Sequence, residues 1–474
     1  MWYDTLKNKR LWQIFEEIER IPRESGNEEG IRNWLLSWAD EHGLRRDTDA
    51  IGNVFIYCPA TPGYEKVAPI ALQGHMDMVC VKKPGSEHNF LTDPIEVVYE
   101  DGMIHAKDTS LGADNGIAIA LALDIFSDPD AKHGPLEAII TISEETGLTG
   151  AFNIDPEKVS ARKMINLDSE EEAIIYIGCA GGVDMEAELP LKRNPNKAGH
   201  TYELKVSGLL GGHSGGEIHK ERGNAVKLLA RILKNIGRYS LVSIEGGTKH
   251  NVIPSEATAV ITCSSDPSRK VRKIAKEIAN ELKYADPGFR AEAVEIENAS
   301  ETLTTRCRDR IVDLLYVAPH GVYAMSTALP GVVETSNNLA IVRTEEDRFT
   351  IKNSIRSNIG SSRENLLSIM ENIYKTYGFR TEHGNGYPEW EPNPSSKLLK
   401  QVARAYSEIL GKEPIITAIH AGLECGIINK RVKGMDSISI GPDLFDVHSV
   451  NEHVNVDSAE RIAYFVKEML AKIR

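Results

Sequence analysis

Apolar and polar positions change their rhythm twice along the chain, and the two changes divide it into three stretches. Residues 6–20 repeat with a helical period, GNVFIYC and PIALQG read as strands, and ADNGIAIALALDIFSD reads as a helix apolar on every side. LEAIITIS and KMINLD are further strands. Such alternation predicts a largely parallel sheet covered by helices. From about residue 185 the strands instead alternate apolar and polar positions, as in TYELKVSG, EATAVITCSS, AEAVEIEN and RFTIKNSIRS. Amphipathic helices such as ERGNAVKLLARILKNIG and PSRKVRKIAKEIANELKYA separate them, which predicts an antiparallel α+β layer with one wet face.

The second change follows GNGYPEWEPNPSS, a segment rich in Gly, Pro and Asn of the kind that joins domains. Beyond it the helices SKLLKQVARAYSEIL and VDSAERIAYFVKEML return to the first style. The expected fold class is therefore α/β, with a mostly parallel sheet in one domain built from residues 1–184 and 387–474, interrupted by an α+β domain at 185–386. No short-period repeat suggests a solenoid.

Composition narrows the functional classes. The 474 residues are 41% hydrophobic and 26% charged, as in ordinary globular proteins. Asp and Glu outnumber Lys and Arg by 69 to 55, a net charge of -14, and no basic cluster stands out, so neither nucleic acid nor anionic membrane is an expected partner. The start MWYDTLKNKRLWQIF lacks the layout of a signal peptide, so the expected location is cytoplasmic. Six cysteines without C-x-x-C spacing point to reduced thiols. A bound metal would then be held by histidine and carboxylate.

Those residue types recur at expected strand ends and in the adjoining loops. His75 and Asp77 lie two apart in LQGHMDMV, after an apolar run. Asp114 stands in KDTSLGADNG before the helix that Gly116 opens, Glu144 and Glu145 follow AIITIS, Asp168 ends KMINLD, and His448 lies in GPDLFDVHSVNEHV. Each alone has an ordinary explanation, such as a helix N-cap for Asp114. Together, at the carboxyl edge where open α/β sheets bind ligands, they form a donor set for zinc, cobalt or manganese. Asp114 can bridge two metals, with Glu145 and His448 completing one and His75 and Asp168 the other. Asp77 remains to orient His75, and Glu144 to act as general base.

GHMDMV, DTSLGADNG, SEETG, NLDSE followed by GCAGGVD, and the late His-Ser pair resemble the co-catalytic zinc exopeptidases of the aminoacylase and carnosinase type. The resemblance runs nearly the whole length, with no departure at the metal or general-base positions. It implies a metal-dependent dipeptidase with two divalent ions per subunit, acting on unblocked dipeptides with C-terminal histidine, and an inserted domain that serves as lid and homodimer interface. By the same resemblance His213 in GLLGGHSGG stabilises the oxyanion, Asn251 in KHNVIPSEA and Arg356 in NSIRSN contact substrate, and Gly422 in HAGLECG offers a backbone contact from the catalytic domain. An N-acyl-amino-acid deacylase or a tripeptidase of the same fold is the nearest alternative. A metal-holding scaffold without catalysis is a more distant one, and Glu144 argues against it.

Overall fold

A computed structural model describes residues 1–197 and 199–473. The chain divides into two compact units, one formed by 1–178, 392–418 and 423–474, the other by 179–391 and 419–422.

The first unit is built on an eight-stranded sheet. Its heart is four parallel strands in the order Leu136–Thr141, Ile70–His75, Lys163–Asn166, Asp436–Ser439. Leu136–Thr141 and Ile70–His75 are buried at every position, which explains their unbroken apolar character. The flanks are antiparallel: Arg45–Thr48 pairs with Val54–Cys58, which pairs with Leu136–Thr141. The sheet is thus more mixed than the alternation of elements implied. A short turn at Asp49–Asn53 can join only antiparallel neighbours, and the Asp49 carboxylate fixes it by accepting the N–H groups of Ile51, Gly52 and Asn53.

Helix Ala113–Ser127 is apolar all round because it is buried all round, packed on strand Ile70–His75 and against helix Lys9–Glu19. Lys9–Glu19 in turn buries one stripe, Leu11, Trp12, Phe15 and Ile18. Near the C-terminus, Leu444–Phe445 and His453–Asn455 pair as an antiparallel hairpin whose loop carries His448.

The second unit holds a nine-stranded sheet whose recorded pairings are all antiparallel. Strand His200–Ser207 alternates buried and partly exposed positions, as the sequence alternates apolar and polar ones. Helices Ala225–Asn235, Ser268–Glu281, Thr305–Val317 and Gly360–Thr376 contribute to one core with the inner face of the sheet. Among the described residues no helix is long and apolar enough to cross a membrane.

Candidate metal centre and substrate-binding residues

The carboxyl ends of the parallel strands place four segments side by side. His75 ends its strand, and its N–H donates to Asn115 Oδ1 at 3.2 Å. Asn115 Nδ2 donates to Leu167 O, tying this strand end to the loop of Asp168. The approach demands glycine before the histidine, since a Cβ on Gly74 would lie 2.4 Å from Asn115 Oδ1. Asp114 and Asn115 depart from helical geometry at the start of helix Ala113–Ser127, so Asp114 sits on an irregular turn.

Asp114 is the hub. Its Oδ1 lies 3.1 Å from His75 Nε2 and its Oδ2 3.1 Å from His448 Nε2. Asp168 approaches the same nitrogen of His75 at 3.5 Å, and Glu145 lies 2.9 Å from His448 Nε2. Ligand atoms of His75, Asp114 and Asp168 form one cluster within 4.8 Å, those of Asp114, Glu145 and His448 a second, and those of His75, Glu144 and Glu145 a third. His75 is buried at 1% exposure, whereas the side chain of His448 is 46% exposed, so the cluster opens on its His448 side.

Asp77 does more than face His75. Its Oδ1 is 3.4 Å from His75 Nδ1, while its own backbone carbonyl is closer to that nitrogen, at 3.0 Å. The carboxylate accepts the N–H groups of Glu144 at 3.0 Å and Glu145 at 3.2 Å, and the Ser25 hydroxyl at 2.6 Å. It therefore orients the segment carrying both glutamates as well as the imidazole.

Electrostatics show a centre with too much negative charge for its burial. Burial opposes a charge on His75, but Asp168, Asp114 and Asp77 raise its pKa well above the usual imidazole value. Hydrogen bonds with Asp114 and Glu145 push His448 up to about 11. Burial raises Asp168 to about 6, against the pull of His75. Burial, followed by repulsion from Asp168, Glu424 and Glu145, lifts Glu144 well above the ordinary carboxylate range. A divalent cation would reverse this repulsion, and nitrogen with carboxylate oxygen is a donor set that zinc, cobalt and manganese accept. The residues present fit such ions.

The other four expected residues fall in the second unit. His213 lies beside Asn251, since His213 bridges to Val252 and Ser214 N–H donates to Asn251 O at 2.8 Å. His213 Nδ1 accepts the N–H of Gly216 at 3.1 Å, which leaves the proton of a neutral ring on Nε2. Burial, with Arg356 nearby, lowers its pKa to about 4, so at neutral pH it is an uncharged donor.

Arg356 is 7% exposed, and its Nη1 donates to the Tyr387 hydroxyl at 2.8 Å. Its Nε has no protein partner. Gly422, expected in the catalytic domain, groups instead with the second unit. The cause is backbone pairing: Ala180 N–H donates to Ile419 O and Ala421 O, and His420 is held by Ser336 at 2.7 Å and Asn358 at 3.2 Å. Sequence reasoning passed over Tyr387 and His420. His420 was visible two residues before Gly422, but nothing local distinguishes a buried histidine from a surface one.

Residues 71–472 match peptidase family M20/M25/M40. The cytosol non-specific dipeptidase of Escherichia coli K12 is 38% identical over 476 residues, covering 99% of this chain and 98% of that protein. The crystal structure of aminoacylhistidine dipeptidase from Vibrio alginolyticus superposes with a TM-score of 0.90 at 35% identity, covering 99% of this chain and 98% of the other. An aminopeptidase from Bacillus cereus, 18% identical over 98% of this chain and 99% of its own, has a TM-score of 0.60 and so shares the fold.

Proposed function

The chain belongs to peptidase family M20/M25/M40, and from that premise we propose that it is a dipeptidase that hydrolyses unblocked dipeptides, preferring those with C-terminal histidine. The observation that carries the reading is Asp114, whose two oxygens each face a different histidine at 3.1 Å inside a cluster of carboxylates. His75 and Asp168 would hold one divalent ion, His448 and Glu145 the other, and Asp114 both. Zinc is the expected metal, with cobalt and manganese compatible with the same donors.

When bound, two such ions supply Lewis acidity that polarises the scissile carbonyl and makes water nucleophilic at neutral pH. The chain's own residues do the rest. Glu144, brought to the cluster by the Asp77 clamp on its N–H, accepts the proton of the attacking water and delivers it to the leaving amine. His213 offers its Nε2–H to the developing oxyanion as a neutral donor. Arg356, with its unpartnered Nε, takes the free carboxylate of the dipeptide, and Asn251 and Gly422 complete the contacts. Cleavage of Xaa-His peptides is supported by the name of the Vibrio relative, and a cytoplasmic location by that of the Escherichia coli relative.

The test is turnover by protein reconstituted with each metal, using Xaa-His dipeptides beside other dipeptides, tripeptides and N-acyl amino acids. Faster cleavage of Xaa-His is the expected result. Equal rates across all dipeptides would replace the histidine preference with broad dipeptidase activity, the property in the name of the Escherichia coli relative. Preferential cleavage of tripeptides or acylated amino acids would overturn the proposal.

A further inference from the structure

The loops that carry His75 and Asp114 are held together by two buried side chains from opposite ends of the chain. Arg23 is 1% exposed and lies just beyond helix Lys9–Glu19. Its Nη2 donates to Gly112 O at 2.6 Å and to Glu19 Oε1 at 2.7 Å, while its Nη1 reaches Met76 O at 3.3 Å and Asp77 O at 3.5 Å. One guanidinium thus spans the loop after His75 and the loop before Asp114.

Glu452, 2% exposed, grips the second loop from the other side. Its Oε2 accepts the N–H groups of Leu111 at 2.8 Å and Gly112 at 2.9 Å, and its Oε1 accepts that of Asp114 at 3.1 Å. Three backbone donors converging on one carboxylate leave little freedom in the turn that aims Asp114. Gly112 is required at its centre: its φ is +80°, and a Cβ there would stand 2.4 Å from Arg23 Nη2.

We propose that Arg23 and Glu452 are positioning residues that set the placement of Asp114 relative to His75 and thereby the affinity of the centre for divalent metal. Neither reaches the reacting atoms. A carboxylate that must serve two ions tolerates displacement poorly, because a shift that improves one bond lengthens the other. Partners that orient metal ligands are commonly worth 10- to 100-fold in affinity, roughly the effect expected here. The inference rests on the reading of His75 and Asp114 as metal ligands.

The experiment titrates metal-free wild type, Glu452→Gln and Arg23→Lys with Co2+, following its visible absorption bands, and measures thermal unfolding of each metal-free protein. Glutamine keeps the shape of Glu452 but turns an amide NH2 toward backbone donors. Lysine keeps the charge beside Glu19 but cannot span Gly112 O together with Met76 O and Asp77 O.

In both variants the two Co2+ equivalents should weaken in parallel by about 10- to 100-fold, because Asp114 serves both sites. Glu145→Gln, by contrast, should weaken one equivalent first. At saturating metal, KM for a dipeptide should stay within about two-fold of wild type, since neither residue is among those assigned to substrate binding. Unchanged Co2+ affinity and spectrum in a folded variant, even with a lowered unfolding temperature, would make the frame merely structural and overturn the proposal. If Glu452→Gln does not unfold cooperatively, Arg23→Lys decides alone. Wild type that fails to bind two equivalents would instead overturn the metal-centre reading, a separate outcome from intact binding in the variants.

Discussion

Glu144 and Glu145 are chemically identical neighbours with different surroundings. Asp77 accepts the N–H of both, but Glu145 lies 2.9 Å from His448, whereas burial lifts the carboxyl of Glu144 well above the ordinary carboxylate range. Glu144→Gln should lower kcat by at least ~100-fold while metal content, read by elemental analysis, stays at the wild-type level. Glu145→Gln should lose metal first, so equal metal content in the two variants would contradict this division of labour. Arg356 is the other residue whose burial matters, because a 7%-exposed guanidinium with an unpartnered Nε awaits an acceptor. Arg356→Lys keeps the charge without the planar fork, so KM for a free dipeptide should rise. Amidating the C-terminus of the substrate should raise KM in wild type by a comparable factor. Equal cleavage of free and amidated dipeptides would remove Arg356 from the carboxylate contact.

Single side chains also finish whole elements in the second unit. Helix Thr305–Val317 ends where Lys227 Nζ donates to the carbonyls of Leu315 at 2.9 Å, Tyr316 at 2.7 Å and Ala318 at 2.6 Å. Lysine at a helix C-terminus satisfies carbonyls that the helix cannot. Lys227→Met should therefore cost about 2 kcal/mol in denaturant unfolding, since hydrogen bonds to a charged group are lost and acceptors are stranded. The segment Ile419–Gly422 behaves differently, because burial, then the positive charge of Arg356, lowers the pKa of His420 to about 3. Folded protein refuses a proton that the unfolded chain accepts near pH 6.5, so this group makes stability fall as pH drops from 6.5 toward 3. His420→Gln should flatten that decline by at most about 1.4 kcal/mol per pH unit. Parallel stability curves for variant and wild type over that range would show that His420 titrates normally.

At the scale of the molecule, the homodimer implied by the family resemblance has a direct test. Glu144→Ala and His213→Ala are each expected to be inactive. If His213 serves the partner's site, each mixed dimer has one complete site of two, and random subunit exchange makes half the dimers mixed, so the mixture should recover roughly a quarter of wild-type activity per site. A mixture that stays inactive after exchange is shown independently would mean that His213 serves its own chain. What the sequence alone determined was periodic and local. Unbroken apolar runs predicted the buried parallel strands and alternation predicted the antiparallel layer, because each depends on neighbours within one element, while the order of short His, Asp and Glu motifs along the chain carried the family. The tertiary structure brings the expected ligands Asp114 and His448, 334 positions apart, to 3.1 Å, and it alone shows that the carboxylate of Glu452 accepts the N–H of Leu111, 341 positions away. The antiparallel pairing of Val54–Cys58 with Leu136–Thr141, the grouping of Gly422 with the second unit and the burial of Arg356 were equally out of reach. Each is settled by packing between segments far apart in the chain, and residue order does not encode those distances locally.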